Sequence, residues 1–199
     1  MAKGWPVVLT EGDVVLRPLR RRDARAWLAV RASNATWLEP WEATLSEGDS
    51  GPVPTFGEFV RQMSSQARSG TALPLVIEYR GALVGQLTVA TIVRRSLCSG
   101  SIGYWVSKHV AGRGVVPTAV AMAVDHCFGP VGLHRVEINI RPENAASLRV
   151  VAKLGLRDEG LRERYLHIQG SWCDHRTFAI TSEEVPDGLL ARWRTVGVA

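Results

Sequence analysis

The segment of this chain best suited to chemistry is Tyr104-Trp105-Val106-Ser107-Lys108-His109-Val110-Ala111-Gly112-Arg113-Gly114-Val115-Val116-Pro117, a predicted strand that feeds a glycine-bearing turn. Lacking a Cβ, Gly112 and Gly114 let main-chain N–H groups approach an anion closely, and Arg113 adds positive charge. A helix opening directly after the turn would contribute unpaired N–H groups and the positive end of its dipole. The chemistry indicated is the grip of a phosphate. A G-x-G pair is also common in ordinary turns, so the pair alone leaves a plain turn open as the alternative. His134, His167 and His175 make no Cys-His or Ser-His-Asp set with their surroundings, and Cys98, Cys127 and Cys173 show no C-x-x-C spacing. Neither a metal site nor a covalent nucleophile is assigned.

The charge balance agrees with an anionic ligand. The chain has 24 basic and 19 acidic side chains, a net charge of +5 and an isoelectric point near 9.6, so phosphates approach this surface more readily than cations do. No long basic tract and no DNA- or RNA-reading motif is present. The densest run, Arg17, Arg20, Arg21, Arg22 and Arg25, reads as a solvated face around a helix start. With 199 residues, 46% of them apolar, the expectation is one domain over 1–199 with its core at about 14–181. Three cysteines, an odd number, argue against a disulfide framework and for a reducing compartment. Met1 to Val8 lacks the pattern of a secretory signal, and Val115 to Val124 falls short of the roughly 18 apolar residues that a membrane span needs. A cytoplasmic protein without a membrane segment is expected.

The elements that must position these residues follow from hydrophobic spacing. Residues 14–16 predict a strand ending at Pro18, and 22–32 a helix; 37–54 is polar and turn-rich. Within that loop Trp37 and Trp41 either plug the edge of the core or line a substrate mouth. Phe56, Phe59, Val60 and Met63 keep helical spacing up to Gly70. Residues 73–79, 82–93 and 101–106 predict an antiparallel meander, with the first turn at Arg80-Gly81. A helix over 118–128 precedes a strand over 133–140, in which Val136, Ile138 and Ile140 alternate with Arg135, Glu137 and Asn139. A helix over 144–154 ending at Gly155, a hairpin of 161–168 with 172–180, and a last helix over 183–193 complete the order. This succession predicts an α+β fold with a mixed sheet.

Behind the glycine turn come Arg135-Val136-Glu137-Ile138-Asn139, Pro142-Glu143-Asn144-Ala145-Ala146-Ser147, Lys153-Leu154-Gly155-Leu156 and Glu159-Gly160. The order strand, x-G-x-G turn, helix, strand, N-x-x-S helix and K-x-G-hydrophobic resembles the GNAT acetyltransferases. Asn-x-x-Ser with Glu-Gly beyond it is similar to the RimJ/RimL-type protein N-terminal acetyltransferases, as are Leu38-Glu39-Pro40-Trp41 and the helix entry near Asp23. The likeness covers roughly residues 14–181. It implies a mixed, mostly antiparallel central sheet flanked by helices, with strands splayed at an acetyl-CoA site. By the same resemblance Trp105, Val106, Ala111, Gly112, Arg113, Gly114, Val115 and Val116 would hold the pantetheine and pyrophosphate of acetyl-CoA, the co-substrate. Asn144 would bond the pantetheine arm, and Ser147, one turn on and on the same face, would lie near the leaving thiolate. Asn144 is equally an N-cap by residue type. Ala111 and Val116 depart from the family's Gln/Arg and Gly/Ala, and a β-branched Val116 needs more room beside the ligand.

The reaction implied is direct acetyl transfer to a neutral amine without a metal. Many members place a carboxylate five residues before the equivalent of Asn144, where this chain has Asn139. Glu137, on the same strand face, becomes the candidate base, directly or through water; its alternative is an ion pair with Arg135 or Lys153. Val151 stands where other members have an acidic tyrosine, so the proton donor is sought at Ser147. Trp172-Cys173-Asp174-His175 matches a W-x-D-H stretch of this branch, in which Asp174 either anchors a strand or faces the substrate. The expected acceptor is the N-terminal α-amine of a protein, a ribosomal one first, with ribosome association and a monomer or homodimer as companion expectations. A small amine is the alternative acceptor, and a non-catalytic acetyl-CoA-binding or ribosome-associated module the alternative of another class.

Overall fold

The computed structural model describes residues 3–46 and 53–196. Eight strands form one sheet in the order β1-β2-β3-β4-β5-β6-β8-β7. They are β1 (Leu9–Glu11), β2 (Val14–Pro18), β3 (Leu73–Tyr79), β4 (Ala82–Val93), β5 (Ser99–Val106), β6 (Arg135–Ile140), β7 (Arg157–Ile168) and β8 (Ser171–Thr181). Every neighbouring pair is antiparallel except β5 and β6. The mixed, mostly antiparallel sheet expected from the sequence is therefore the one observed.

The helices divide between its two faces. α1 (Ala24–Ser33) and α3 (Phe56–Ser69) cover one face, where Leu19, Val60, Val76 and Leu83 pack with Trp27, Phe56 and Phe59. α4 (Val115–His126), α5 (Ala145–Leu154) and α6 (Leu189–Val196) lie on the other, against Leu16, Leu75, Ile77, Leu87, Ile102 and Val136. α3 keeps its predicted span because Thr55 and Glu58 cap each other's backbone at its start and Gly70, at φ +75°, ends it. α4 is apolar almost all round, with Val115, Ala119, Val120 and Val124 fully buried, as befits a helix wedged between sheet and helices. Trp193 on α6 donates from Nε1 to Thr118 Oγ1 at 2.8 Å and so ties α6 to the first turn of α4.

Several boundaries differ from the sequence reading, each for a local reason. α4 starts at Val115 rather than 118, because Pro117 occupies the third helical position, where no N–H partner is required. β1 was hidden by its three-residue length. β7 begins at Arg157, four residues early, since its charged opening is held by ion pairs to neighbouring strands rather than by apolar alternation. The last helix is broken by Pro186 and Gly188 into a short turn over Ser182–Glu184 and α6. The segment from Trp37 is not all loop: Ala35–Leu38 forms one helical turn (α2) and Glu39–Trp41 a tighter one. Residues 47–52 of that expected loop lie outside the described residues. Among the described residues no helix is long and apolar enough to cross a membrane.

Where β6, β7 and β8 meet, carboxylates and guanidiniums interlock. Glu159 accepts from Arg135 and Arg157, and Arg157 continues to Glu184. The hydrogen bond from Arg135 holds the Glu159 carboxyl down to about 2, against the opposing effect of burial. The depressed value means that Glu159 stabilises the fold fully above its unfolded range near 4.5 and ceases to do so as pH falls through about 2. In urea unfolding followed against pH, Glu159→Gln should be less stable than the parent at neutral pH. The difference should shrink on acidification from about 4.5 towards 2; a gap constant with pH would contradict it.

Candidate active site

The site originates in how β5 and β6 part company. They pair in parallel only from Ser99 with Arg135 to Ser101 with Glu137, after which β5 runs on to Val106 and β6 to Ile140 without pairing. A cavity of about 690 Å³ opens at this divergence. β4 backs the opening closely: a Cβ at Gly85 would stand 2.3 Å from the Trp105 carbonyl oxygen, so only glycine lets the two strands approach there.

One end of the cavity is the glycine turn. Ala111, Gly112, Gly114, Val115 and Val116 all line it, whereas Arg113 is exposed and is not among the lining residues. Gly112 and Gly114 have φ of +81° and +78°, which L side chains rarely adopt. Ala111 N–H donates to Lys108 and Arg113 N–H to Val110, but those of Gly112, Gly114, Val115 and Val116 have no partner among the described residues. Four donors at a helix N-terminus form an anion cradle. An alanine Cβ at Gly112 would meet no protein atom within 4 Å, so the space above that turn is open to a ligand.

The middle of the cavity lies between β5 and α5. Trp105 and Val106 line it, as do Asn144 and Ser147. Asn144 caps α5, its Oδ1 accepting from Ser147 N–H at 3.0 Å, which leaves its side-chain NH₂ free to face the cavity. Tyr104, which the sequence reading passed over, contributes a hydroxyl that is buried and has no hydrogen-bond partner within normal geometry. Burial pushes that phenol up to about 12, and its interaction with the Ser147 side chain lowers it only in part. The signal was available in the strand: Ile102, Tyr104 and Val106 form one inward-facing row, and a tyrosine in such a row carries a polar tip into the interior.

The other end is aromatic. Trp37 and Trp41 are half-buried and line the cavity, joined by Arg31, Glu42, Gln86 and Thr88. Trp37 Nε1 donates to the Val106 carbonyl at 3.1 Å, and Asn34 at the end of α1 accepts from Ser107 Oγ and Lys108 N at 3.1 and 2.9 Å. These bonds fasten the α1–α2 corner to the end of β5.

Glu137, the candidate base, is not brought to the cavity. One of its oxygens accepts from Arg135 at 2.9 Å and the other from Arg162 at 2.9 Å, so the ion-pair alternative describes it, with Arg162 in place of Lys153. Lys153 instead lines the cavity. Asn139 is also engaged, donating to Ser101 Oγ at 3.3 Å and accepting from Thr177 Oγ1 at 2.8 Å. Asp174 accepts from Arg164 N–H at 2.8 Å and thereby anchors a bulge of β7. Among the described residues, no group of three His, Cys, Asp or Glu side chains is placed to hold a metal ion.

The exposed N–H groups, the orphaned phenol and the slot between strands suit a ligand that is anionic at one end and slender in the middle. Comparison with known proteins agrees. Residues 13–157 match the family described as the acetyltransferase (GNAT) domain. The solved structure of Mycobacterium smegmatis RimJ in complex with CoA-disulfide is 41% identical, covers 99% of this chain and 98% of that one, and superposes with a TM-score of 0.92. The ribosomal protein uS5-alanine N-acetyltransferase of Escherichia coli is 28% identical over 92% of this chain and 94% of its own length. A ribosomal-protein-S5-alanine acetyltransferase from Vibrio fischeri, 24% identical with a TM-score of 0.77, covers 89% of this chain and 98% of its own and shares the fold. The chain belongs to the GNAT acetyltransferases and is an acetyl-CoA-dependent N-acetyltransferase of the RimJ/RimL type.

Proposed function

We propose that this enzyme acetylates the N-terminal α-amine of a protein, a ribosomal protein first, by direct transfer from acetyl-CoA. The observation that carries the reading is the single passage from the amide cradle at Gly112–Val116, past Tyr104 and Ser147, to the tryptophan-lined mouth. A cavity lined both by the amide turn and by the tryptophans allows the acyl donor and a chain terminus to meet in it. The relative named for ribosomal protein uS5, at 28% identity over 92% of this chain, favours that acceptor and a cytoplasmic setting.

Acetyl-CoA, when bound, supplies an activated thioester and a good leaving group. The cradle amides of Gly112, Gly114, Val115 and Val116 hold phosphate, and the Asn144 side chain orients the arm that leads inward. The β5 edge left unpaired beyond Ser101 offers N–H donors to a carbonyl. Tyr104, a phenol that is protonated at neutral pH, donates the proton that a departing thiolate requires, with Ser147 beside it. A peptide α-amine, with a pKa of roughly 7.7 to 8.0, is partly neutral at pH 7, so a strong side-chain base is unnecessary. The engagement of Glu137 with two arginines fits that requirement.

Purified enzyme with acetyl-CoA and a panel of Ala- and Ser-starting peptides should release thiol. Silence across the panel, with turnover of small amines, would transfer the assignment to a small-molecule acceptor. Tyr104→Phe should lower kcat by about 10²-fold with little change in either KM, as for loss of an acid that acts only in the transition state. Gly112→Ala should cost about 1 kcal/mol of stability through its positive φ. It should also weaken CoA binding about 10-fold in calorimetry, an effect beyond the fold because the added carbon meets no protein atom.

A further inference from the structure

We propose that Glu42 is the acceptor-binding carboxylate of this site: it receives the α-ammonium of the incoming chain, and Arg31 occupies that place until the acceptor arrives. The inference rests on the N-terminal amine reading above and names the residue that would recognise such a substrate.

Among the described residues that line the cavity, Glu42 is the single carboxylate; the other charged ones are Arg31, Arg149 and Lys153. The aromatic walls are already engaged by cations. Arg31 lies 5.2 Å from the Trp105 ring centroid, Lys108 5.8 Å from that of Trp37, and Arg141 5.8 Å from that of Trp41. A cationic amine entering among these tryptophans therefore meets like charge on every ring, and Glu42 supplies the opposite sign. Two carboxylates of the neighbouring β6 and the segment after it are committed: Glu137 to Arg135 and Arg162, Glu143 to Arg141.

Glu42 is bound in a way that allows exchange. Its partner Arg31 is 2.5 Å away across the mouth, on α1, and the two side chains are 27% and 35% exposed. A pair as wet as this contributes little to stability, so an ammonium can replace the guanidinium at small cost. While paired to Glu42, Arg31 also lies over Trp27, 5.4 Å from the ring centroid, and over Trp105, and these contacts hold it when Glu42 takes a new partner. The segment that carries Glu42 stays anchored meanwhile, because Thr44 N–H donates to the His167 carbonyl at 2.8 Å and its hydroxyl meets His167 Nδ1 at 2.8 Å. Captured as RNH₃⁺, the amine gives one proton to bulk water by way of this half-exposed carboxylate, and the RNH₂ that remains enters the transfer.

The test titrates CoA-loaded enzyme with an Ala-starting peptide and with the same peptide bearing a propionyl group in place of the alanine, which removes only the amine. The parent should prefer the amino peptide by about 5- to 10-fold, and Glu42→Gln should abolish that preference. In turnover, Glu42→Gln should raise the peptide KM by a similar factor, leaving the KM for acetyl-CoA unchanged. Arg31→Gln, which removes the competitor, should keep or increase the preference for the amine. Retention of the preference by Glu42→Gln, or its loss in Arg31→Gln as well, overturns the proposal, the latter because the pair would then be structural. Equal binding of both peptides by the parent overturns it while sparing the N-terminal reading; binding of neither peptide removes that reading and this proposal with it.

Discussion

The parting of β5 from β6 beyond Ser101 and Glu137 is the constraint on which the rest of this enzyme depends. Main-chain N–H and C=O groups inside a protein need partners, and a strand edge left open in the middle of a sheet is costly unless something else supplies them. Here the opened edge is the wall of a slot. Because β5 and β6 are parallel, the chain must cross over between them. That crossover is the glycine turn followed by α4, so the anion cradle lies at the end of the slot opposite its aromatic mouth.

The cradle's orientation is set by packing rather than by its own bonds. α4 is buried on nearly all sides, and its axis cannot move without disturbing the sheet, α5 and α6 together. Trp193 reaches its first turn from the far end of the chain, bonding Thr118 and standing close behind Gly114. Amides held in this way are aimed before any ligand arrives, which is what makes preorganised donors effective. The slot's middle follows the same logic: Tyr104 is carried by a central strand and Ser147 by a helix whose cap, Asn144, also faces the cavity.

Charge is distributed with similar economy. The carboxylates of β6 and β7 cross-link strands whose sequence is too polar to hold by apolar contact, and they serve the fold. At the aromatic mouth the cations lie on tryptophan faces, where they fasten α1, the turn after β5 and the segment after β6 around one opening. Glu137 shows why residue type and strand face do not suffice to identify a base. It is a carboxylate on the expected strand, yet Arg162, distant in sequence, arrives through the β7–β8 pairing and saturates it.

Sequence alone determined whatever depends on neighbours along the chain. The alternation in β6, the capping box and terminal glycine of α3, the G-x-G turn and the Asn-x-x-Ser helix entry are local patterns, and local sterics and hydrogen bonding enforce them. Where apolar spacing was absent, as in the charged start of β7, the strand was illegible because its stability comes from partners far away in the chain, and β1, though paired with the adjacent β2, is too short to show a period. Tertiary structure decided which side chains share the slot: that Tyr104 enters it unpaired, that Glu42 faces it and that Glu137 does not. The physical reason is that a site is a meeting of surfaces from β4, β5, α4, α5 and the α1–α2 corner. Their relative placement is settled by core packing and strand register, which no single stretch of sequence contains.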